Sequence, residues 1–303
     1  MKRNITTTRR TRMKKFFKNL ILILIFLAGL SLLLYPYIAN EWNTYRQSKL
    51  MTTYEEAVES INEETPIDYS AEFARANAYN ESLVPYILPD SFAIAAASEE
   101  PDEEYMACLN LTGDGMMGYV HIPKIDIKIP IYHTVSTEVL EKAAGHLEGS
   151  SLPVGGADTH AVISAHRGLP SAALFTDLDK LKEGDHFLIS VLDEILCYEV
   201  DQISVVEPSE TEALKVEDGK DLATLLTCTP YGVNSHRLLV RGHRVEYVEE
   251  EVMKEDVPLM ETSLHTNYLL WVFVGLAITA VFIIVLSVAD KKRRKKANDQ
   301  MKE

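Results

Sequence analysis

Two uncharged apolar runs, 20 residues at 20–39 and 22 residues at 268–289, constrain this 303-residue chain more than any other feature. About 20 apolar residues, at 1.5 Å of helix rise each, match the hydrocarbon core of a bilayer. Lys14, Lys15 and Lys18 precede the first run, and Lys291, Lys292, Arg293, Arg294, Lys295 and Lys296 follow the second. The positive-inside rule then sets both basic tails, 1–19 and 290–303, in the cytoplasm and everything between the runs outside. The first run is long for a signal-peptide core, and Tyr37-Ile38-Ala39 lacks the small–any–small pattern of a cleavage site. An uncleaved anchor at 20–39 is the expectation. No anchoring pentapeptide precedes the second run, so a retained span at 267–289 is expected there. The chain reads as a two-pass protein of the cell membrane with an extracellular domain.

Charge sorts the same way. The net charge is −15, yet residues 1–18 hold eight basic residues and no acid. Residues 19–289 carry 15 basic and 42 acidic residues. So acidic a middle makes no nucleic acid a partner of the main domain, whereas the membrane is one. With only Cys108, Cys197 and Cys228, the outer domain is no disulfide scaffold. One disulfide, such as Cys108–Cys197, would leave one thiol over, and an unpaired thiol outside the cell needs a reason.

Residues 40–84 read as N-terminal helices. Tyr54, Val58 and Ile61 make one stripe, and Tyr69, Phe73, Ala76 and Leu83 roughly make a second, with Pro66 between them. Their polar faces are acidic, which favours packing on the main domain over a membrane surface. Residues 85–117 contain Pro85, Pro89 and Pro101 and read as a long loop, mobile or functional. Short β-rich runs follow at 118–122, 125–132, 160–165, 186–191, 195–206, 222–228 and 238–248, with helices expected near 137–144 and 172–181. Many short strands with turn signals make the fold mainly β, a sandwich or barrel, within 118–248. The acidic stretch 249–266 reads as a solvated linker. No glycine-rich phosphate loop and no metal-ligand spacing is visible, so no cofactor is expected.

Three polar residues sit at strand ends. Cys228 closes the run Leu222-Ala223-Thr224-Leu225-Leu226-Thr227-Cys228, before Pro230 and Gly232. Arg237 opens the next strand, and antiparallel pairing would return it beside Cys228. His166 ends Ala161-Val162-Ile163-Ser164-Ala165-His166. A thiolate can attack, an imidazole can carry the proton to a departing amine, and a guanidinium can hold a developing oxyanion. Together they amount to acyl transfer through a thioester. Spacing alone leaves a competing reading, since a lone cysteine is commonly a small buried hydrophobe. Cys197, mid-strand, takes that reading. His121, His133, His146, His160, His186, His236 and His243 read as structural, and Arg167 and Arg241 as supports of the barrel. Unperturbed Cys and His leave roughly 1% of molecules as thiolate with imidazolium at pH 7.

The motifs go further than spacing. Thr227-Cys228-Thr229-Pro230-Tyr231-Gly232, His236-Arg237-Leu238-Leu239-Val240-Arg241-Gly242 and Ile163-Ser164-Ala165-His166-Arg167-Gly168-Leu169-Pro170 resemble the signatures of sortases. Gly118-Tyr119-Val120-His121-Ile122-Pro123-Lys124-Ile125, Gly145-His146-Leu147-Glu148-Gly149-Ser150-Ser151-Leu152-Pro153 and Leu174-Phe175-Thr176-Asp177-Leu178 resemble class C, the pilin-polymerising sortases. The likeness spans about 118–245. It implies an eight-stranded sortase-type β-barrel, with N-terminal helices and a lid segment, flanked by two transmembrane helices. It implies Cys228 as nucleophile, His166 as general acid/base and Arg237 as the stabilising cation of a cysteine transpeptidase. The implied partners are LPXTG-containing pilin subunits and surface proteins, cleaved after Thr and joined to a pilin lysine. Class C enzymes carry an Asp-Pro-aromatic lid. Here the nearest match is Leu88-Pro89-Asp90-Ser91-Phe92, with the proline ahead of the aspartate, which makes Asp90 and Phe92 the occluding pair. Two other expectations stand beside this one: anchoring of surface proteins to peptidoglycan, and a non-catalytic membrane scaffold.

Overall fold

Arg3–Glu64 form a single helix (α1), which runs unbroken through the expected boundaries at 19/20 and 39/40. The computed structural model describes residues 3–64, 69–83, 88–95, 101–252, 273–277, 279–281, 283–284 and 288. Within α1, Leu20–Glu59 contains a stretch apolar and long enough to cross a membrane, the one such helix among the described residues. The fold was expected to have two. Most of the second, 267–289, lies outside the described residues, and its described pieces are helical. Linker residues 253–266 and the tail 290–303 also lie outside them. The chain divides into two compact units, Ile38–Pro258 and a second made of Met1–Tyr37 with Leu259–Glu303. The barrel and the candidate site belong to the first.

Three short helices follow α1: α2 (Ser70–Ser82), α3 (Ser91–Ala95) and α4 (Glu103–Ala107). The stretch expected to be a loop thus carries two helical turns. Each starts at an aspartate: Asp90 Oδ2 accepts from Ala93 N at 3.1 Å, and Asp102 accepts from Glu104 N. Side-chain oxygens at such positions satisfy helix N–H groups that lack a partner. The strands are β1 (Met116–Ile122) and β2 (Ile127–Tyr132), then, after the one-turn helix α5 (Thr137–Leu140), β3 (Ala144–His146) and β4 (Thr159–Ser164). After these come β5 (His186–Val191), β6 (Glu194–Val206), β7 (Asp221–Thr229) and β8 (His236–Val245), with a final turn α6 (Glu249–Val252).

The strands close into a barrel in the order β1-β2-β3-β4-β7-β8-β6-β5. β2 pairs β3 parallel and β4 pairs β7 parallel; the other neighbours are antiparallel. β4 is buried along its whole length and β7 at all but its ends. Strands covered on both faces are rich in apolar residues, and the buried polar side chains in these two, such as His160, Thr224, Ser164 and Thr227, are hydrogen-bonded. β3 went unseen because it is three residues long and contains Gly145. A Cβ there would collide with the Thr134 carbonyl oxygen, so only glycine lets the chain pass. The helix expected at 137–144 accordingly stops at Leu140. The one expected at 172–181 is a loop ending in a single 3-10 turn, Leu178–Lys180.

The N-terminal helices pack on the barrel through the expected stripes. Tyr54, Val58, Tyr69 and Ala76 are buried in the main core, with Phe73 and Leu83 against it; the side chain of Ile61 lies outside the described residues. Tyr54, 1% exposed, joins α1 to two barrel segments: its hydroxyl donates to Met117 O at 2.9 Å and accepts from Leu192 N at 2.8 Å. All three cysteines are buried thiols, and the Cys108–Cys197 disulfide is not formed. Tyr54→Phe keeps the ring but deprives these buried backbone groups of their partner. It should cost about 1–3 kcal/mol, read as a lower midpoint in urea unfolding; an unchanged midpoint would contradict the role of this contact.

Candidate active site

The two parallel and antiparallel ladders around β7 decide which residues meet. In the β7–β8 hairpin, Cys228 pairs directly with Arg237. On the other side of β7, the β4 ladder ends at Ser164↔Leu226. Ala165 N still bonds to Leu226 O at 3.1 Å, and Thr227 Oγ1 donates to Ala165 O at 2.7 Å. His166 follows directly, and its ring meets Phe92, which also stands over Arg237. Strand ends far apart in the chain thus deliver thiol, imidazole and guanidinium to one rim. Cys228 is 5% exposed and Arg237 9%.

The segment around α3 covers that rim. Arg237 donates from Nε to Asp90 Oδ1 at 2.6 Å and from Nη2 to Asp90 Oδ2 at 2.8 Å. This two-pronged pair matches the planar fork of a guanidinium to a carboxylate. Nη1 is turned to the carbonyls of Asn234 and His236, both at 3.2 Å. The Phe92 ring lies 5.1 Å from the Arg237 guanidinium and 5.2 Å from the His166 ring, and so stands against both. Leu88, Phe92 and Ile94 join a small apolar cluster with Val162, Leu226 and Leu239 of the barrel. Ser91 completes the attachment by accepting from Ser164 Oγ at 2.8 Å. Asp90 and Phe92 therefore meet the residues named for chemistry. The sequence named Asp90 as a cover; its pairing with Arg237 was not foreseen, nor was the Ser91–Ser164 bond.

Covering changes the electrostatics. Burial pushes the Cys228 thiol above its usual pKa; Arg237 opposes this and the Asp90 carboxylate adds to it. Burial lowers the His166 imidazole, with the Glu141 carboxylate opposing. Both shifts favour neutral thiol beside neutral imidazole. In this covered arrangement the Cys228 thiol is pushed toward its protonated form and the Arg237 charge is matched by Asp90. Among the other histidines, His133, His146 and His160 are buried and hydrogen-bonded, as expected of structural ones.

Two signs follow. Phe92→Ala should let water reach His166, so that its pKa, read by NMR titration, rises toward the ordinary value of about 6.5. Asp90→Ala removes a negative neighbour and frees Arg237, so the Cys228 pKa should fall and labelling by a thiol reagent at pH 7 should accelerate. Labelling that keeps its rate in both variants would show that this segment does not govern access.

Comparison with known proteins agrees with this architecture. Residues 120–245 match the Sortase domain family. Sortase A of Bacillus anthracis is 27% identical over 154 residues, 51% of this chain and 71% of that one. The crystal structure of Streptococcus pneumoniae sortase C is 45% identical with a TM-score of 0.59, covering 66% of this chain and 97% of that one. Sortase C1 of Streptococcus agalactiae is 46% identical with a TM-score of 0.57, covering 66% of this chain and all of that one. At such identity over the whole length of solved sortase C enzymes, the chain belongs to the sortase family of cysteine transpeptidases.

Proposed function

We propose that this protein is a membrane-anchored class C sortase that cleaves LPXTG-like sorting signals after Thr and joins the acyl group to a pilin lysine. The direct pairing of Cys228 with Arg237, under a cover anchored to that same arginine, carries the reading. The described apolar helix supports an anchor, and the charge of the two tails supports a two-pass topology with the barrel outside. The pneumococcal neighbour, whose structure bears on pilin substrate specificity, supports pilins over wall precursors as the acceptor class.

In this reading the α3 segment first swings away, and Arg237 exchanges Asp90 for the substrate. The Cys228 thiol gives its proton to His166, and the thiolate adds to the Thr carbonyl carbon. Arg237 donates to the oxygen on which charge develops, or holds the backbone beside it. The C–N bond to Gly breaks as the His166 imidazolium gives its proton to the departing amine. A thioester on Cys228 remains. His166, now neutral, takes a proton from the incoming neutral lysine amine as it attacks, and the thiolate leaves. One amide is broken and one formed, so the exchange needs no cofactor.

Cys228→Ala should abolish both the covalent peptide adduct and denaturant-resistant surface polymers, with mass spectrometry of wild-type polymer showing a Thr–lysine isopeptide bond. A bond from Thr to a wall-precursor amine would assign the enzyme to anchoring, and polymers persisting in Cys228→Ala would overturn the proposal. The rate of peptide cleavage should also be bell-shaped in pH, because one limb belongs to His166 and the other to Cys228. The lowered imidazole and raised thiol place the acid limb below and the alkaline limb above their ordinary positions, which widens the plateau. A rate that falls on neither side across the whole pH range in which the protein stays folded would exclude paired roles.

A further inference from the structure

The β4–β7 ladder stops short of the residues whose side chains have to meet. Beyond it, one side chain carries the register on. Arg167 follows His166 and Thr229 follows Cys228, both beyond the last laddered pair, Ser164↔Leu226. Arg167 Nη1 donates to Thr229 Oγ1 at 3.0 Å. The rest of the guanidinium is fixed as well: Nε donates to Thr176 O at 3.1 Å, and Nη2 pairs with Asp179. The Arg167 side chain is 8% exposed.

These contacts lock the loop that bears the histidine. Thr176 also accepts Gly168 N on its hydroxyl at 3.1 Å, and Phe175 N donates to His166 O at 3.1 Å. The loop is thus tied to its own return segment, 175–179. The Arg167–Thr229 bond then ties it across to the end of the strand that bears Cys228, on the far side of His166 from the Thr227–Ala165 bond. Mere support of the barrel would not require a partner at the residue next to the nucleophile. We infer that Arg167 is a positioning residue for acyl transfer, holding the His166 loop in step with the Cys228 strand end through the Thr229 hydroxyl. The inference rests on the roles proposed above for Cys228 and His166. Displacement of reacting groups by about 1 Å can cost a hundredfold in rate, and loss of the hydroxyl releases the tie beyond His166 while leaving the loop's own bonds intact.

The test uses the full-length protein in detergent, a peptide with an LPXTG-type signal and a small amine acceptor. Thr229→Val is close to isosteric and leaves Arg167 its bonds to Thr176 and Asp179. It should lower kcat by ten- to a hundredfold, with KM within about twofold and an unchanged melting temperature, since the substrate's own contacts are untouched. Thr229→Ser keeps the hydroxyl and should retain kcat. Arg167→Met should lower kcat at least as far, and the double variant no further than Arg167→Met alone, because both changes delete one bond. Wild-type kcat in a folded Thr229→Val, a loss in Thr229→Ser equal to that in Thr229→Val, or a rise in KM at constant kcat would each overturn the inference. Its failure is distinct from failure of the proposed function: a wild-type enzyme that forms no adduct on Cys228 removes the reaction itself, whereas an adduct with unimpaired Thr229→Val turnover removes only the role of Arg167.

Discussion

The parallel pairing of β4 with β7 is the constraint on which the site depends. An antiparallel neighbour on one side of β7 and a parallel neighbour on the other mean that one strand end is flanked by a strand start and a second strand end. Arg237 and His166 come to Cys228 from opposite sides for that reason. The arrangement needs a closed barrel, because β4 and β7 are buried on both faces and neither could serve as an edge. Closure in turn requires β3, the shortest strand, to bridge β2 and β4, and its glycine admits the Thr134 carbonyl.

The covering segment works by attaching to the same groups it conceals. Its carboxylate takes both free edges of Arg237, its phenyl ring stands against the imidazole, and its aliphatic residues occupy a patch next to Leu226 and Leu239. With both side chains about 10% exposed, the ion pair is shielded from water. Such a pair is costly to break by deleting one partner, though its net worth to stability is small, because both charges lost hydration to form it. Replacing Asp90 in the fork by another acceptor avoids leaving a bare buried cation, which is what a substrate carbonyl would do.

Much of this was legible in the chain. Runs of apolar and β-branched residues between Gly and Pro marked most strands, and the strand-end positions of Cys228, His166 and Arg237 are plain from what surrounds them. The pairing partners of those strands are not. Alternation and turn residues report local geometry, whereas the Asp90–Arg237 fork joins positions 147 residues apart. β3 left no trace because a three-residue strand has no period to detect. The two short helices in 88–107 did leave one, in the aspartates that begin them, but proline density masked it. The helices expected at 137–144 and 172–181 failed because tertiary contacts, such as Phe175 N with His166 O, claimed backbone groups that a helix would have used. Arg167 passed as barrel support since nothing in sequence shows that its fork reaches Thr229.

Where Arg237 holds the substrate as proposed, Asp90, on the same polypeptide, would compete with an incoming peptide as a tethered ligand. Short tethers give effective concentrations in the millimolar range. A soluble peptide must exceed that figure in occupancy before it is held, and its apparent affinity falls by the fraction of time the arginine is released. Under the proposed function, selectivity would lie less in how well a sorting signal fits than in whether it arrives with something able to evict the resident carboxylate. A large subunit presented at the membrane surface could do so; a free fragment of the same sequence would be at a disadvantage set by the tether alone.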